Sequence, residues 1–331
     1  MLPKSRIASA LFVGLGLALI VAGLIAPRFL NGDARFPLNL ENTTWTLHDP
    51  DGLVGESTED SGATDGDADA TVSTPLTRQL HMTVQNPANE DVATMRIGDS
   101  LMRGDKDTEF DNLISASTWS LQMDRKSGEF VAPAKLSTVM VLPEADIQVD
   151  GVWLKFPSNV EQREYPVFDP TLRKAEPAQF KGEGELNGRK VYTFEQDIPA
   201  TNVAALYADD QNTLTVPAPG AEGELQQTFR HHSAQREITV DQITGFVVGM
   251  TEKVDDFYAD RDGTRVRTIV SYDAAMDEEQ TRALASQLPK VTQAISRDVT
   301  YTVIGVGTVM TLVGLVAAFW PSRRRAAHRD S

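Results

Sequence analysis

Two long apolar stretches, one near each end of the chain, interrupt an otherwise mixed pattern of polar and apolar residues. Residues 301–320 carry no formal charge, and residues 7–26 are apolar apart from Ser9. Each stretch is long enough for a helix to cross the roughly 30 Å hydrocarbon core of a bilayer. We therefore predict transmembrane helices at residues 7–27 and 301–320. A cleaved signal peptide is the alternative for the first stretch, and a buried core helix is the alternative for the second.

The charged residues beside these stretches predict how the chain crosses the membrane. Lys4 and Arg6 precede the first stretch, and Arg323, Arg324 and Arg325 follow the second. Clusters of Lys and Arg remain on the cytoplasmic side of a membrane. The pattern predicts a plasma-membrane protein with both termini in the cytoplasm, the N-terminus at residues 1–6 and a basic tail at residues 321–331. Residues 28–300 would then form an extracytoplasmic domain.

Small residues recur at helical spacing within both stretches. In lipid, such stripes allow two helix backbones to approach closely, because packing drives the association of helices there. The spacing predicts that the two helices contact each other or contact the helices of a partner. The predicted packing residues are Ala10, Gly14, Ala18 and Ala22 in the first stretch and Gly307, Thr311, Gly314 and Ala318 in the second.

Between the two stretches, apolar and polar residues alternate with a period of two over many short segments, which is typical of β-strands. Such segments include residues 77–86, 113–124 and 136–143. Later segments are separated by turn sequences, and Asn187-Gly188 is the strongest hairpin signal among them. The other turns are expected at residues 241–245 and at Asp262-Gly263. The predicted fold class is α+β, with a mostly antiparallel β ectodomain flanked by two transmembrane helices.

Two segments of the ectodomain depart from this alternation. Residues 48–74 are rich in Asp, Glu, Gly, Ser and Thr and contain no aromatic residue, which predicts an acidic mobile loop. Residues 276–288 have the pattern of a helix, with Asp277 at the start and Leu284 and Leu288 on one face. If the helix continues through residue 300, it leads directly to the second membrane span.

Composition and motifs exclude several classes of function. The chain has a net charge of −16, so nucleic acid is excluded as a partner. It has no cysteine, which excludes thiol catalysis, disulfides and thiolate zinc sites. No catalytic motif is present, and the adjacent His231 and His232 would face opposite sides of a strand. We therefore predict no catalytic residue, no metal and no cofactor.

Aromatic residues are concentrated in the middle of the chain. They are Trp153, Phe156, Tyr165, Phe168, Phe180, Tyr192 and Phe194. One interpretation is an ordinary β-sheet core. The other is a cavity or groove for an acyl chain, since binding sites for small ligands are concave and mostly apolar. The sequence leaves both interpretations open.

Four segments carry a resemblance to a known family. They are GLGLALIVAGLIAPRFL in the first span, YPVFDPTLR, GEGELNGRKVYTFEQDIPA, and the last span with its arginine tail. Together they resemble the PorA family of actinobacterial envelope proteins, over the whole chain. The resemblance implies a role in the envelope of a mycolate-bearing actinobacterium, where members are tied to the maturation of lipomannan into lipoarabinomannan. The layout of two anchors around a β ectodomain is also similar, more distantly, to animal scavenger receptors of the CD36 type, which contain a lipid tunnel.

These observations predict a non-enzymatic envelope factor that binds or transfers a lipid or lipoglycan precursor outside the plasma membrane. A scaffold that holds a membrane glycosyltransferase through the small-residue stripes is the first alternative. An envelope hydrolase or transferase with an unrecognised site is the second.

Overall fold

The structure is a computed structural model of the whole chain. It describes residues 4–30, 34–39, 44–56, 69–138, 143–217, 224–288 and 297–319. The chain divides into two compact units, one formed by residues 1–33 with 289–331 and the other by residues 34–288. Among the described residues, the first unit contains two α-helices, and the second contains a β-sheet, one α-helix and two short 3-10 helices.

Helices α1 (Lys4–Leu30) and α3 (Arg297–Phe319) form the first unit, while the short helix α2 (Glu278–Gln287) belongs to the second. Among the described residues, only Val299–Phe319 is both long and apolar enough to cross a membrane. The apolar part of α1 that is described, Ser9–Ile25, is shorter. The structure therefore contains one candidate membrane span, and the prediction of two spans remains a prediction.

Helices α1 and α3 pack against each other through glycines. A Cβ atom added to Gly307 would lie 2.7 Å from the carbonyl oxygen of Gly16, and one added to Gly16 would lie 2.7 Å from that of Gly307. A Cβ on Gly314 would come within 2.8 Å of a side-chain carbon of Val13. The two backbones are thus in direct contact, with no room for larger side chains at these positions.

The structure places the predicted packing residues of the two helices differently. On α3, Gly307 and Gly314 are buried and Thr311 and Ala318 are half-buried. On α1, the four predicted residues are all exposed, and they are Ala10, Gly14, Ala18 and Ala22. Gly16 and Gly23 contact α3 instead. Residues spaced by four move around a helix by about 40° per step, so the predicted residues of α1 do not stay on one face. Residues spaced by seven, such as Gly16 and Gly23, move by only about 20°.

The second unit contains a thirteen-stranded sheet. Its strands are β1 (Thr44–Gly55), β2 (Thr71–Gln85), β3 (Val92–Arg103), β4 (Leu113–Asp124), β5 (Ala134–Ser137), β6 (Ala145–Ile147), β7 (Tyr165–Asp169), β8 (Lys174–Leu186), β9 (Arg189–Asn202), β10 (Thr213–Pro217), β11 (Leu225–Asp241), β12 (Val247–Ala259) and β13 (Arg265–Met276). The strand order is β6-β5-β4-β3-β2-β1-β13-β12-β11-β9-β8-β7, and β10 pairs with β11. All of these pairings are antiparallel, which confirms the predicted type of sheet.

The hairpins follow the turn sequences. Asn187 and Gly188 have φ angles of 51° and 73° and connect β8 to β9, as an Asn-Gly turn requires. Gly245 and Gly263 also have positive φ, in the connections from β11 to β12 and from β12 to β13. All three predicted hairpins are therefore confirmed.

The predicted acidic loop at residues 48–74 is too wide. β1 continues to Gly55 and β2 begins at Thr71, while residues 57–68 lie outside the described residues. Val54 lies on the buried face of β1, and the buried carboxylate of Asp49 accepts a hydrogen bond of 2.7 Å from the backbone N–H of Asp273 on β13. Backbone pairing on both sides of β1 stabilises a sequence that has few apolar residues.

Helix α2 agrees with the helix predicted near the end of the ectodomain. Asp277 caps it by accepting a 2.6 Å hydrogen bond from the backbone N–H of Gln280, and Leu284 and Leu288 are buried. Residues 289–296 lie outside the described residues, so a continuous helix to residue 300 remains a prediction. The predicted strand at residues 136–143 is partly outside them as well, and β5 ends at Ser137.

The buried lysine Lys155 joins three segments of the domain. Its Nζ donates hydrogen bonds to the backbone carbonyls of Lys126, Phe156 and Thr244, at 2.9, 2.9 and 2.8 Å. Burial, opposed only weakly by the charge of Asp124, lowers the pKa of Lys155 to about 7. The side chain therefore serves as a polar cross-link inside the core.

The apolar core lies on one face of the sheet, which we call the inner face. In the middle of β12, Met250 and Val254 are buried on the inner face, while Thr251 and Lys253 are exposed on the outer face; toward the end of the strand, Phe257 and Ala259 are buried on the outer face as well. This alternation is the expected pattern for a sheet that has a core on one side and water on the other.

The contact between α1 and α3 gives a prediction that distinguishes small residues at the helix contact from the exposed small residues of α1. Because the chain has no cysteine, cysteines introduced at Gly23 and Ile304, which contact each other, would be the only cross-linking pair. We expect Gly307→Ile to reduce oxidative cross-linking between α1 and α3 strongly, since its side chain would overlap the backbone of Gly16. Gly14→Ile is the matched control, because no atom lies within 4 Å of a Cβ added at Gly14. Equal cross-linking in both variants would contradict the packing.

Candidate functional site: a charged cavity on the inner face of the sheet

Charged side chains occupy positions on the inner face that strand alternation assigns to apolar residues. Arg78 lies between Leu76 and Leu80 on the buried side of β2. Glu252 lies in the same way between Met250 and Val254 on β12, and it is 1 % exposed. Burying an ion is costly unless it is paired and hydrogen-bonded. These positions therefore require ionic partners inside the fold.

Eight such side chains form a chain of alternating charge, which we call the charged cluster. In order of contact they are Asp99, Arg78, Glu252, Arg236, Asp169, His232, Asp256 and Arg230. They come from β2, β3, β7, β11 and β12. Residues from distant parts of the sequence are thus joined in one network.

The first half of the charged cluster is built around two arginines. Arg78 lies 2.8 Å from Asp99 and 2.6 Å from Glu252, measured between nitrogen and carboxylate oxygen. The Nε of Arg236 donates to Oε2 of Glu252 at 3.1 Å, the same oxygen that Arg78 approaches at 2.6 Å. The hydroxyl of Tyr272 donates to Glu252 at 2.9 Å. Glu252 is therefore held by three donors.

The second half is built around two aspartates. Asp169 lies 2.7 Å from Nη1 of Arg236 and 3.4 Å from Nε2 of His232. The Nδ1 of His232 lies 2.5 Å from Asp256, which is also bound by Arg230. His232 thus lies between two carboxylates. His231, its neighbour on the strand, points to the other face and stacks on Phe257.

The charged cluster is electrically balanced when His232 carries a proton. It contains three arginines and four carboxylates, so one further positive charge is needed. Burial lowers the pKa of His232, but the charges of Asp256 and Asp169 outweigh burial and raise it to about 9. Burial also raises the pKa of Glu252 and of Asp256, but the adjacent cations outweigh burial and lower each to about 2. At neutral pH His232, Glu252 and Asp256 are therefore ionised and paired.

A cavity of about 530 Å³ lies against the charged cluster. This volume is in the range of binding sites for small ligands. On the other side it is bounded by residues 113–117 and Trp119 of β4 and by two connecting segments, residues 170–173 and 207–212. Its walls therefore combine charged, hydroxyl and aromatic side chains with aliphatic ones, such as Leu101, Ile114 and Val270.

The two connecting segments are fixed to each other at the cavity. Arg173 forms an ion pair of 3.1 Å with Asp209, and its guanidinium lies 3.5 Å from the ring centroid of Tyr207. The hydroxyl of Tyr207 donates a 2.8 Å hydrogen bond to the carbonyl of Thr171. Side chains held in this way are preorganised for a ligand, because little freedom remains to be lost on binding.

The seven aromatic residues singled out in the sequence lie in the apolar core. Phe156, Tyr165 and Phe194 contact one another with centroid distances of 5.0–5.5 Å. The remaining members of this group are Trp153, Phe168, Phe180 and Tyr192, which are also in aromatic contacts. None of the seven lines the 530 Å³ cavity, whose aromatic residues are Trp119, Tyr207, Tyr258 and Tyr272. Contact between the seven and an acyl chain remains a prediction.

The charged cluster was not predicted from the sequence. Its members come from five strands, so their charged partners are distant in sequence. The available signal is the interruption of an apolar stripe by a charged residue. Arg236 between Ala234 and Ile238 is such a position, as is Arg78. Within the described part of the chain, no group of three or more side chains could hold a metal ion.

Removal of Arg236 tests how much of the fold depends on the charged cluster. We expect Arg236→Met to lower the free energy of unfolding by roughly 3–5 kcal/mol, because Asp169 and Glu252 each lose a buried partner. Glu237→Gln on the outer face is the control, and we expect a loss below about 1 kcal/mol, because its ion pair with Lys181 is nearly half exposed. Denaturant titration of the full chain in detergent micelles measures both. Similar losses in the two variants would contradict a central role for Arg236.

The protonation of His232 gives a prediction for pH. Its pKa is raised from 6.5 to about 9 in the folded state. The contribution of protonated His232 to the free energy of unfolding is therefore complete below pH 6.5 and is lost as the pH rises through 9. The difference in unfolding free energy between wild type and His232→Gln should therefore fall by on the order of 3 kcal/mol across this window. Lys155 is present in both proteins, and its titration cancels in the difference. Parallel pH curves for the two proteins would show that His232 is not protonated in the fold.

Comparison with known proteins identifies the family. The model of the family described as Porin PorA matches residues 8–317. A Porin PorA from Corynebacterium resistens is 24% identical over 416 aligned positions, which cover 98% of this chain and 99% of that protein. A Porin PorA from Corynebacterium amycolatum is 24% identical over 216 positions, and the match covers 57% of this chain and only 56% of that protein. The chain therefore belongs to the PorA family.

Proposed function

We propose that this chain is a non-enzymatic factor of the cell envelope that binds or transfers a lipoglycan precursor outside the plasma membrane. In this role it would support the maturation of lipomannan into lipoarabinomannan. Its PorA-family relatives from Corynebacterium are consistent with an envelope protein. The observation that carries the proposal is the cavity of about 530 Å³ beside the charged cluster.

The proposed topology has two anchors, with both termini in the cytoplasm. The apolar segment Val299–Phe319 supports the second anchor, and its contact with α1 supports a paired arrangement of the two helices. Lys4, Arg6 and the arginines at residues 323–325 support the cytoplasmic position of both termini. Residues 34–288 would then lie outside the membrane.

The chemistry of the cavity favours the polar part of a lipoglycan over its acyl chains. An acyl chain beside Arg78, Asp99 and Arg230 would displace water from ionised groups without replacing any hydrogen bond. Hydroxyl groups can replace those hydrogen bonds. In the proposed complex the glycan therefore occupies the cavity.

A pore is the competing function, because the relatives carry the word porin in their name. Strands that cross a membrane have apolar residues outside and polar residues inside. β12 shows the reverse arrangement, with Val248 and Met250 buried and with Thr251 and Lys253 exposed. This pattern suits a sheet whose outer face is in water, and it favours binding over conduction.

A scaffold for a membrane glycosyltransferase is the second candidate function. It is favoured by one observation, the exposed stripe of small residues on α1 that α3 leaves uncovered. The stripe consists of Ala10, Gly14, Ala18 and Ala22. A helix of a partner could pack against it closely.

Filling the cavity tests the proposed function. Ser117 and Ser120 are both half-buried residues of β4, but only Ser117 lies against the cavity. We expect the full chain in lipid nanodiscs to bind labelled lipomannan, Ser117→Trp to lose binding by at least about tenfold, and Ser120→Trp to retain it.

Three outcomes would count against it. If wild type does not bind lipomannan, the proposed function fails. If Ser117→Trp binds as wild type does, the cavity is not the site. If Gly14→Ile, but not Ser117→Trp, abolishes cross-linking to a membrane glycosyltransferase, the scaffold function is supported instead.

A further inference from the structure

We infer that the cavity beside the charged cluster recognises the hydroxyl groups of an uncharged sugar, and that it discriminates against phosphate and other anions. This inference rests on the proposed function and specifies which part of the ligand the site holds. It is carried by the pairing of the charged side chains in the wall of the cavity.

The arginines that line the cavity are already paired with carboxylates. Arg230 is bound to Asp256, and Arg173 to Asp209. Arg78 and Arg236 are bound to the other carboxylates of the charged cluster. Strong sites for phosphate use arginines whose charge is free for the ligand. An anion in this cavity would meet nearby carboxylates together with the guanidinium groups, so it would gain little attraction.

Paired arginines and carboxylates still offer hydrogen bonds to a neutral ligand. A guanidinium has five N–H donors, and the described hydrogen bond of Arg173 uses one of them, to Asp209. A sugar hydroxyl both donates and accepts, so two neighbouring hydroxyls can bind an arginine and a carboxylate at once. The cavity therefore matches a ligand with many hydroxyls and no net charge.

Further groups along β4 and the connecting segments extend this match. Ser115 and Ser117 place two more hydroxyls against the cavity. Tyr258 lies at the cavity with its hydroxyl bound to the carbonyl of Gln211 at 2.9 Å, so its ring is fixed. Fixed aromatic rings offer apolar surface to the C–H faces of sugar rings at little cost in side-chain entropy.

Two arginines of this chain form a matched pair for the test. Arg173 and Arg163 each stack on a tyrosine, Tyr207 and Tyr165, and each pairs with an acidic residue. Only Arg173 lies at the cavity. Arg173→Met and Arg163→Met thus each remove one stacking contact and one ion pair, Arg163 being the more exposed, and only the first variant changes the proposed site.

The experiment measures binding of three soluble probes to the full chain. The chain is kept in an alkyl dimethylamine oxide, a detergent that has no sugar headgroup. The probes are an α-linked mannose trisaccharide, inorganic phosphate and a short-chain lysophospholipid. Calorimetry gives affinities, and saturation-transfer NMR identifies the bound groups. We expect the trisaccharide to bind, with about tenfold weaker binding in Arg173→Met, unchanged binding in Arg163→Met and loss in Ser117→Trp. Thermal unfolding confirms that each variant is folded.

Several results would overturn the inference. Phosphate that binds as tightly as the trisaccharide, or displaces it, would identify an anion site. A lysophospholipid that displaces it would identify an apolar site. Trisaccharide binding unchanged in a folded Ser117→Trp would place the sugar elsewhere, and a folded wild type that binds no trisaccharide would exclude sugar recognition.

These results are separable from the test of the proposed function. Binding of lipomannan that depends on the cavity, without binding of the trisaccharide, would leave the proposed function standing and remove the inference. Binding of the trisaccharide without binding of lipomannan would support the inference and remove the lipoglycan role.

Discussion

The ionic contact between Arg78 and Glu252 determines the shape of the sheet domain. β2 and β12 are not neighbours in the sheet, because β1 and β13 lie between them. A side chain on β2 can reach Glu252 on β12 at 2.6 Å only if the sheet is strongly curved across these four strands. Arg236 then ties Glu252 to Asp169 on β7, at the far edge of the sheet. These contacts link strands across the curved sheet, and Arg78 and Arg236 form part of the wall of the cavity.

Apolar side chains at the same positions would give a more stable core, because burying ion pairs usually gains less than packing hydrophobic residues of similar volume. Such apolar side chains would also occupy part of the cavity that β4 borders. The charged cluster therefore keeps polar groups in a place where packing alone would remove them. This is the arrangement expected of a binding site, in which stability is reduced to preserve polar groups for a ligand.

The sequence predicted the local features of the fold well. The three hairpins depend on turn residues such as Asn187-Gly188, whose conformational preference is a local property. The α2 cap at Asp277 is local as well. The charged cluster could not be predicted in the same way, because Arg78 and Glu252 are brought together by the closure of the sheet. The packing face of α1 was also outside local reasoning, since Gly16 and Gly23 become important only through their contacts with Gly307 and Ile304 of α3.

The two buried basic groups have an additional consequence. As the chain folds near pH 8, His232 takes up a proton, because its pKa rises to about 9, while Lys155 releases one, because its pKa falls to about 7. The two exchanges have opposite signs, so each reduces the effect of the other on the pH dependence of folding. Between these two pKa values, the stability of the sheet domain therefore depends less on pH than either buried group alone would make it.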